Sequence, residues 1–278
     1  APTEIYTLSL HDALPISSLV FFGLTFLSTW ICWIPVGLLP KEHSLLANIL
    51  HYIGGAMPML SALLLLVLYH SHEERQDYWQ RLVDFRRIGR SSWIVILLAV
   101  PILILTGAAG DIILGGAGAK LELAHNILSN PLSLLPFAMF TLLFGPLPEE
   151  MAWRGYALDG LQARRDALKA SLILGIAWTV WHLPLFWIEG SYQYGLGIGT
   201  LQFWLFMLDK IPQSIIMAWL YNKNQRSTVT AILFHFMINF YGELLNMSLR
   251  AETIYIASWW AAALLVVVLW KPQKMTVT

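Results

Sequence analysis

Residues 149–154 read Glu-Glu-Met-Ala-Trp-Arg and end an apolar run that begins near Leu132. The run is long enough to cross a bilayer, which takes roughly 20 apolar residues. Two carboxylates and one guanidinium are costly to place near hydrocarbon, because each needs a partner, a proton or water to replace its hydration. The stretch therefore indicates a membrane-spanning helix that carries a functional site.

The composition of the whole chain is that of an integral membrane protein. Of its 278 residues, 57% are hydrophobic and 12% are charged, about half the charged share of a soluble domain. The formal net charge is zero and the chain has no polybasic tail, so the sequence gives no basis for nucleic-acid binding. The single cysteine, Cys32, lies inside an apolar run, so a free thiol is expected.

The first residues are set apart from the fold. Residues 4–16 match, codon for codon, one reading frame of a common sequencing-adapter oligonucleotide. We therefore interpret residues 1–16 as a translated adapter. Residues 17–278 are expected to form a single integral membrane domain, with a motif-bearing core at residues 132–246.

Eight apolar segments are predicted to cross the membrane, which makes the chain an all-α polytopic membrane protein. Short polar connections separate them, and the sequence shows no internal repeat. The eight segments are residues 17–39, 47–69, 92–115, 132–158, 168–188, 197–221, 228–246 and 253–270.

The basic residues predict the orientation of these segments, since Lys and Arg concentrate in connections on the cytoplasmic side. Twelve of them lie in alternate connections and in the C-terminal tail. Three others, Lys41, Lys120 and Arg250, lie on the opposite side. Both termini are therefore expected in the cytoplasm.

The fourth segment carries the candidate working carboxylate. Gly and Pro at 145–148 interrupt it just before Glu149, and such a break is tolerated where protein or a water-filled cavity satisfies the backbone. Glu150 and Arg154 are four residues apart, so they share a helix face and are expected to pair. Glu149 lies about 100° round the helix from Glu150 and is left free.

Two further segments carry histidines that could join Glu149. The fifth contains His182, and the seventh contains His235 and Asn239, which project from one helix face. Counting about 1.5 Å per residue from the cytoplasmic helix ends, these side chains lie roughly 10–20 Å deep. They are therefore expected to meet within the inner half of the membrane.

This set of side chains suits hydrolysis by either of two routes. Glu149 could take a proton from water that a His holds, while Asn239 and the other His donate to the oxyanion of a tetrahedral intermediate. Glu149, His182 and His235 could equally be three ligands of a catalytic zinc with an open fourth position. The residue pattern leaves both routes open.

Other intramembrane charges lie outside these motifs. Asp111 is in the third segment, and Asp209 and Lys210 are in the sixth. Adjacent residues point about 100° apart on a helix, so Asp209 and Lys210 are not expected to pair.

The three motifs in order resemble those of the CPBP family of intramembrane proteases, which includes the type II CaaX prenyl endopeptidase and bacterial immunity-type relatives. The matching residues are Glu149-Glu150-x-x-x-Arg154, Trp-His182-Leu-Pro184 and His235-x-x-x-Asn239. The resemblance covers roughly residues 132–246.

The resemblance implies eight helices around a polar cavity that is open to the cytoplasm, and cleavage of peptide bonds near the membrane. Glu149 and His182 would activate water, and His235 and Asn239 would form the oxyanion site. Glu150 and Arg154 would support this geometry. The family usually has Phe four residues before the second-motif His, where this chain has Trp178, which keeps an aromatic ring.

Three functions are therefore weighed. An intramembrane endopeptidase would act on membrane-associated peptides or proteins among the lipids of, we expect, a bacterial cytoplasmic membrane. A non-enzymatic bacteriocin self-immunity or scaffold protein would keep its function without the carboxylate. A proton-coupled transporter would use Asp111, Glu149 and Asp209 as a relay.

Overall fold

The computed structural model describes residues 5–39 and 44–270, and side chains within 18–39, 45–121 and 123–270. Lys41, Lys271 and Lys274, which entered the orientation argument, lie outside the described residues. The adapter interpretation of residues 1–16 stays a prediction.

The described residues form thirteen α-helices and two short strands. The helices are α1 Ile5–Val36, α2 Ser44–Tyr69, α3 His72–Val83, α4 Arg90–Ile113, α5 Glu122–Ser129, α6 Leu134–Leu143, α7 Pro146–Ala152, α8 Leu158–Gln162, α9 Ala167–Trp181, α10 Tyr192–Leu196, α11 Leu201–Lys223, α12 Thr228–Leu244 and α13 Leu249–Trp270, and the strands are β1 Ala119–Lys120 and β2 Asn246–Met247.

The prediction of an all-α polytopic membrane protein is confirmed. Within the described residues six segments are long and apolar enough to cross a membrane, namely Ser18–Val36, Leu45–Tyr69, Arg90–Ile113, Pro131–Gln162, Ala167–Trp187 and Leu249–Trp270. The two other predicted spans correspond to α11, which carries Asp209 and Lys210 at mid-length, and to α12, which has 17 residues. A total of eight spans therefore stays a prediction.

The helices surround α9, which is the most enclosed of the six segments. Its span is 61% buried, whereas the shares for the other five run from 11% to 33%. Helix α9 packs on α11, α7 packs on α2 and α12, and α4 packs on α13. The helices that carry the three motifs, α7, α9 and α12, therefore lie together near the centre of the bundle.

The fourth predicted span is not a single α-helix. Helix α6 ends before Gly145, α7 begins at Pro146, and a π-helical turn, Trp153–Ala157, follows α7. Proline suits the first helical turn because it has no N–H to leave unpaired. Single π turns widen a helix and are frequent at functional sites, and this turn contains Arg154.

Helix α3 anchors the motif helix from the side. It opens with a capping box between Ser71 and Glu74, which satisfies two free N–H groups at its start. The hydroxyl of Tyr78 donates to the backbone oxygen of Met151 over 3.0 Å, and burial raises the pKa of this phenol, so it stays a donor. Arg81 donates to Asp159 over 2.9 Å and also to Tyr221.

Asp111 belongs to a separate polar cluster where α4 meets α13. It accepts from the backbone N–H of Gly118 and the hydroxyl of Ser248, both over 2.8 Å, and forms an ion pair with Arg250. The cluster lies beside the pairing of β1 with β2. Asp111 therefore connects α4 to α13, which accounts for a charged residue in this predicted span.

Candidate active site

Glu149 is buried with one carboxylate oxygen held and the other available. Its side chain extends from α7, and 8% of the residue is exposed. Oε2 accepts a hydrogen bond of 2.5 Å from Nε1 of Trp178. Within the described residues Oε1 has no hydrogen-bond partner, and this atom is not completely buried. One oxygen is therefore placed and the other can accept from a ligand.

Glu150 forms a buried ion pair one helical turn along, with the i, i+4 spacing that the sequence predicts. Its Oε1 accepts from Nη1 of Arg154 over 2.8 Å, and both side chains are fully buried. The same oxygen lies 2.8 Å from Nδ1 of His235. Glu150 therefore connects α7 to α12 as well as to its own helix, a contact that the sequence reasoning missed.

His182 lies where α9 ends, immediately before a 3-10 turn that contains Pro184. Its Nδ1 is 2.7 Å from the backbone oxygen of Trp178. A carbonyl oxygen only accepts, so Nδ1 carries the proton, and in the neutral ring Nε2 is left with its lone pair. Within the described residues Nε2 has no hydrogen-bond partner and can accept a proton or bind a metal.

Trp178 lies at the centre of the arrangement. Besides the bond to Glu149 and the carbonyl contact with His182, its ring meets that of His235 edge-on with centroids 5.1 Å apart. The guanidinium carbon of Arg154 lies 4.9 Å from its ring centroid. From the sequence Trp178 is expected only as an aromatic support. Its hydrogen bond was not predicted, although the indole N–H is the feature that separates Trp from Phe at this position.

Asn239 and Glu149 converge on the space beside Gly145. A Cβ added at Gly145 would lie 3.1 Å from Nδ2 of Asn239 and 3.9 Å from Oε1 of Glu149. Asn239 is half-buried and makes no hydrogen bond within the described residues. The amide donor and the available carboxylate oxygen therefore border the same small volume, which a glycine keeps open.

Lys210 and Asp209 lie next to this site, and the expectation that they do not pair is wrong. Nζ of Lys210 is 3.2 Å from Oδ2 of Asp209, a distance that two adjacent residues can reach because the lysine side chain is long and flexible. Asp111, Glu149 and Asp209 share no hydrogen bond or ion pair within the described chain, so the transporter relay is not formed by direct contact.

The three candidate metal ligands have suitable donor atoms but not a suitable arrangement. Two imidazoles with available Nε2 atoms and one carboxylate are the donor types of a catalytic zinc site. Among residues 18–39, 45–121 and 123–270, however, no three such side chains gather closely enough to hold one ion. Glu149, His182 and His235 are therefore not grouped as a closed ion site in the described part of the chain.

The region that carries these residues is similar to a known protein family. Residues 131–241 match the family model described as type II CAAX prenyl endopeptidase Rce1-like. Over 238 residues the chain is 32% identical to a protein of Methanococcus maripaludis named CAAX prenyl protease 2, covering 84% of this chain and 87% of the relative. The family-model match includes Glu149, His182, His235 and Asn239.

Proposed function

Since this chain belongs to the type II CAAX prenyl endopeptidase family, a family of peptidases, we propose that it is an intramembrane endopeptidase with Glu149 as its general base. The resemblance inferred from the three motifs is thereby confirmed at the level of this family. The finer CPBP assignment stays a prediction. The supporting observation is that side chains from α7, α9 and α12 meet around Trp178 with Glu149 Oε1 and His182 Nε2 available.

The first step proposed is attack by water on the substrate carbonyl. Glu149 Oε1 takes a proton from the water, and His182 Nε2 accepts the second O–H and so fixes the attack direction. The water oxygen bonds to the carbonyl carbon, and the carbonyl oxygen becomes an oxyanion. Precise positioning of the Glu149 carboxylate, the His182 imidazole and the water typically raises the rate by several orders of magnitude.

The oxyanion is assigned to Asn239 and His235. The Asn239 Nδ2 group faces the volume beside Gly145. Nδ1 of His235 lies 2.8 Å from the Glu150 carboxylate, which orients the ring, and its Nε2 is assigned as the second donor to the oxyanion. Preorganised donors of this kind often contribute the largest part of catalysis. The proton on Glu149 then passes to the leaving nitrogen as the C–N bond breaks.

Zinc held by Glu149, His182 and His235 is the alternative to this route. The metal-free version is preferred here because no three such side chains of the described residues are grouped closely enough to hold one ion. Metal analysis of purified, active protein decides between the two versions. We expect less than one zinc per chain and activity that survives a chelator, whereas stoichiometric zinc with chelator-sensitive activity would contradict this.

The membrane setting follows from the same reasoning. We propose a bacterial cytoplasmic membrane as the setting. The Lys and Arg distribution supports both termini in the cytoplasm, with a polar cavity open to that side. Substrates would be membrane-associated peptides or proteins that reach the site among the lipids.

A pair of carboxylate variants tests the proposed activity. The protein is reconstituted in liposomes with a prenylated peptide that ends in a CAAX motif, and product is measured by mass spectrometry. We expect Glu149→Gln to abolish cleavage. Glu243→Gln is the matched control, because Glu243 is also on a motif helix but is exposed. Full cleavage by Glu149→Gln would favour the non-enzymatic immunity or scaffold function instead.

A further inference from the structure

A partly exposed lysine that the proposed mechanism does not use borders the site. Lys210 lies near the middle of α11, and 12% of its side chain is exposed. Its Nζ lies 5.5 Å from the ring centroid of Trp178 and 4.6 Å from that of Phe206. Since Trp178 also binds Glu149, a single indole separates the ammonium from the candidate general base.

The ammonium is only partly satisfied by the protein. It donates to Oδ2 of Asp209 over 3.2 Å, longer than the about 2.7–2.9 Å usual between charged groups. The same oxygen accepts a shorter bond of 2.7 Å from Nε2 of Gln213. Within the described residues this is the one hydrogen bond of a group that has three N–H donors. Lys210 is therefore held in place with donors to spare for an anion.

Lys210 lies deep enough in the membrane that an anionic ligand there would need a cation as its partner. It lies about 20 Å along the helix axis from the basic end of α11 at Lys223. A carboxylate at such a depth is costly unless a cation meets it. Phe206 packs on Phe186 with ring centroids 5.5 Å apart, so an apolar wall adjoins the ammonium. Apolar side chains followed by a carboxylate would fit this surface.

We propose that Lys210 binds the C-terminal carboxylate of the substrate, so that this one side chain selects substrates with a free C-terminal carboxylate. The inference rests on the proposed function. A CaaX motif is C-terminal, so an endopeptidase acting on it has the terminal carboxylate within four residues, about 13 Å of extended chain, of the scissile bond. The ammonium lies within that reach of Glu149.

Two peptides that differ in one charge test the proposal. Both contain farnesylated Cys followed by Val-Val-Ser, one with a free C-terminal carboxylate and one with a C-terminal amide. They are compared by kcat/KM on the wild-type protein, Lys210→Met and Lys223→Met. Lys223 is the matched control, because its Nζ also lies over two aromatic rings, those of Trp219 and Trp270, at 5.0 and 5.8 Å.

We expect the wild type to prefer the carboxylate peptide by about 10- to 100-fold, the loss typical of one hydrogen bond to a charged group. Lys210→Met should lose this preference by slowing cleavage of the carboxylate peptide alone, and Lys223→Met should keep it. Lys210→Arg keeps the charge and should retain the preference, which covers the case that the Met variant does not fold.

Equal cleavage of the two peptides by the wild type would overturn the proposal. Equal slowing of both by Lys210→Met would also overturn it, because it would assign Lys210 a structural role with Asp209. Cleavage of neither peptide by folded wild-type protein would contradict the proposed function itself, and the inference with it.

Discussion

The indole Nε1 of Trp178 donates a hydrogen bond of 2.5 Å to Oε2 of Glu149, across 29 residues of sequence and between two buried helices. One carboxylate oxygen is thereby fixed, and the carboxylate plane with it. The other oxygen is directed towards the volume that Asn239 borders. Precise placement of the general base therefore depends on a donor that phenylalanine at this position would lack.

Replacing Trp178 by Phe keeps an aromatic ring and removes the N–H. We expect kcat to fall by about 10- to 100-fold, the value of a hydrogen bond to a charged group, with KM little changed because substrate contacts remain. Trp219→Phe is the control, since Trp219 is buried and its Nε1 has no partner within the described chain. An unchanged kcat for Trp178→Phe would show that this hydrogen bond does not position the general base.

A side chain at Gly145 should block the reacting volume. The Cβ of Gly145→Ala would lie 3.1 Å from Nδ2 of Asn239, so it would occupy space that the carbonyl oxygen needs. We expect activity to fall at least about 10-fold while the thermal midpoint changes by only a few degrees. Gly242→Ala, which meets nothing within 4 Å, should remain fully active. Activity of Gly145→Ala equal to that of Gly242→Ala would show that the reaction takes place elsewhere.

Breaking the Glu150–Arg154 pair should destabilise the protein. Removing either partner leaves an uncompensated buried charge, which typically costs about 3–5 kcal/mol. We expect Arg154→Met and Glu150→Met each to lower the unfolding midpoint in detergent. The double variant should be more stable than the sum of the two single effects predicts, because the partners interact directly. Strictly additive effects would show that the pair contributes no mutual stabilisation.

Helix α3 should stabilise the motif helix through Tyr78. Tyr78→Phe removes the hydroxyl that donates to the backbone oxygen of Met151, at a cost of about 1 kcal/mol, the usual net value of one hydrogen bond. Limited proteolysis in the connection before α3 should therefore become faster. Tyr69→Phe, at an exposed phenol, provides the comparison. Equal proteolysis of the two variants would mean that α3 is held by its other contacts.

Local spacing predicted several of these features from the sequence. The Glu150–Arg154 pair follows from the i, i+4 rule on one helix. The apolar segments and the ordered motifs were sufficient to predict the fold class and to suggest the family that the relative confirms. Such arguments succeed where the partners lie on one helix, or where the cost of charge in hydrocarbon limits the alternatives.

Contacts between helices could not be predicted in the same way. The bonds of Trp178 to Glu149 and of His235 to Glu150 join residues 29 and 85 positions apart, and their geometry depends on helix rotation, which spacing does not fix. The pairing of Lys210 with Asp209 was missed because backbone direction alone ignores the reach of a long side chain. The roles of Glu149, His182, His235 and Asn239 in catalysis stay predictions.

We propose above all that this membrane protein hydrolyses peptide bonds through Glu149. The most direct test compares peptide termini in membranes of cells that express the wild type or Glu149→Gln at matched levels. We expect new termini with the wild type that are absent with the variant. Identical termini, with the wild type folded and a CAAX-ending substrate present in the same membranes, would contradict it.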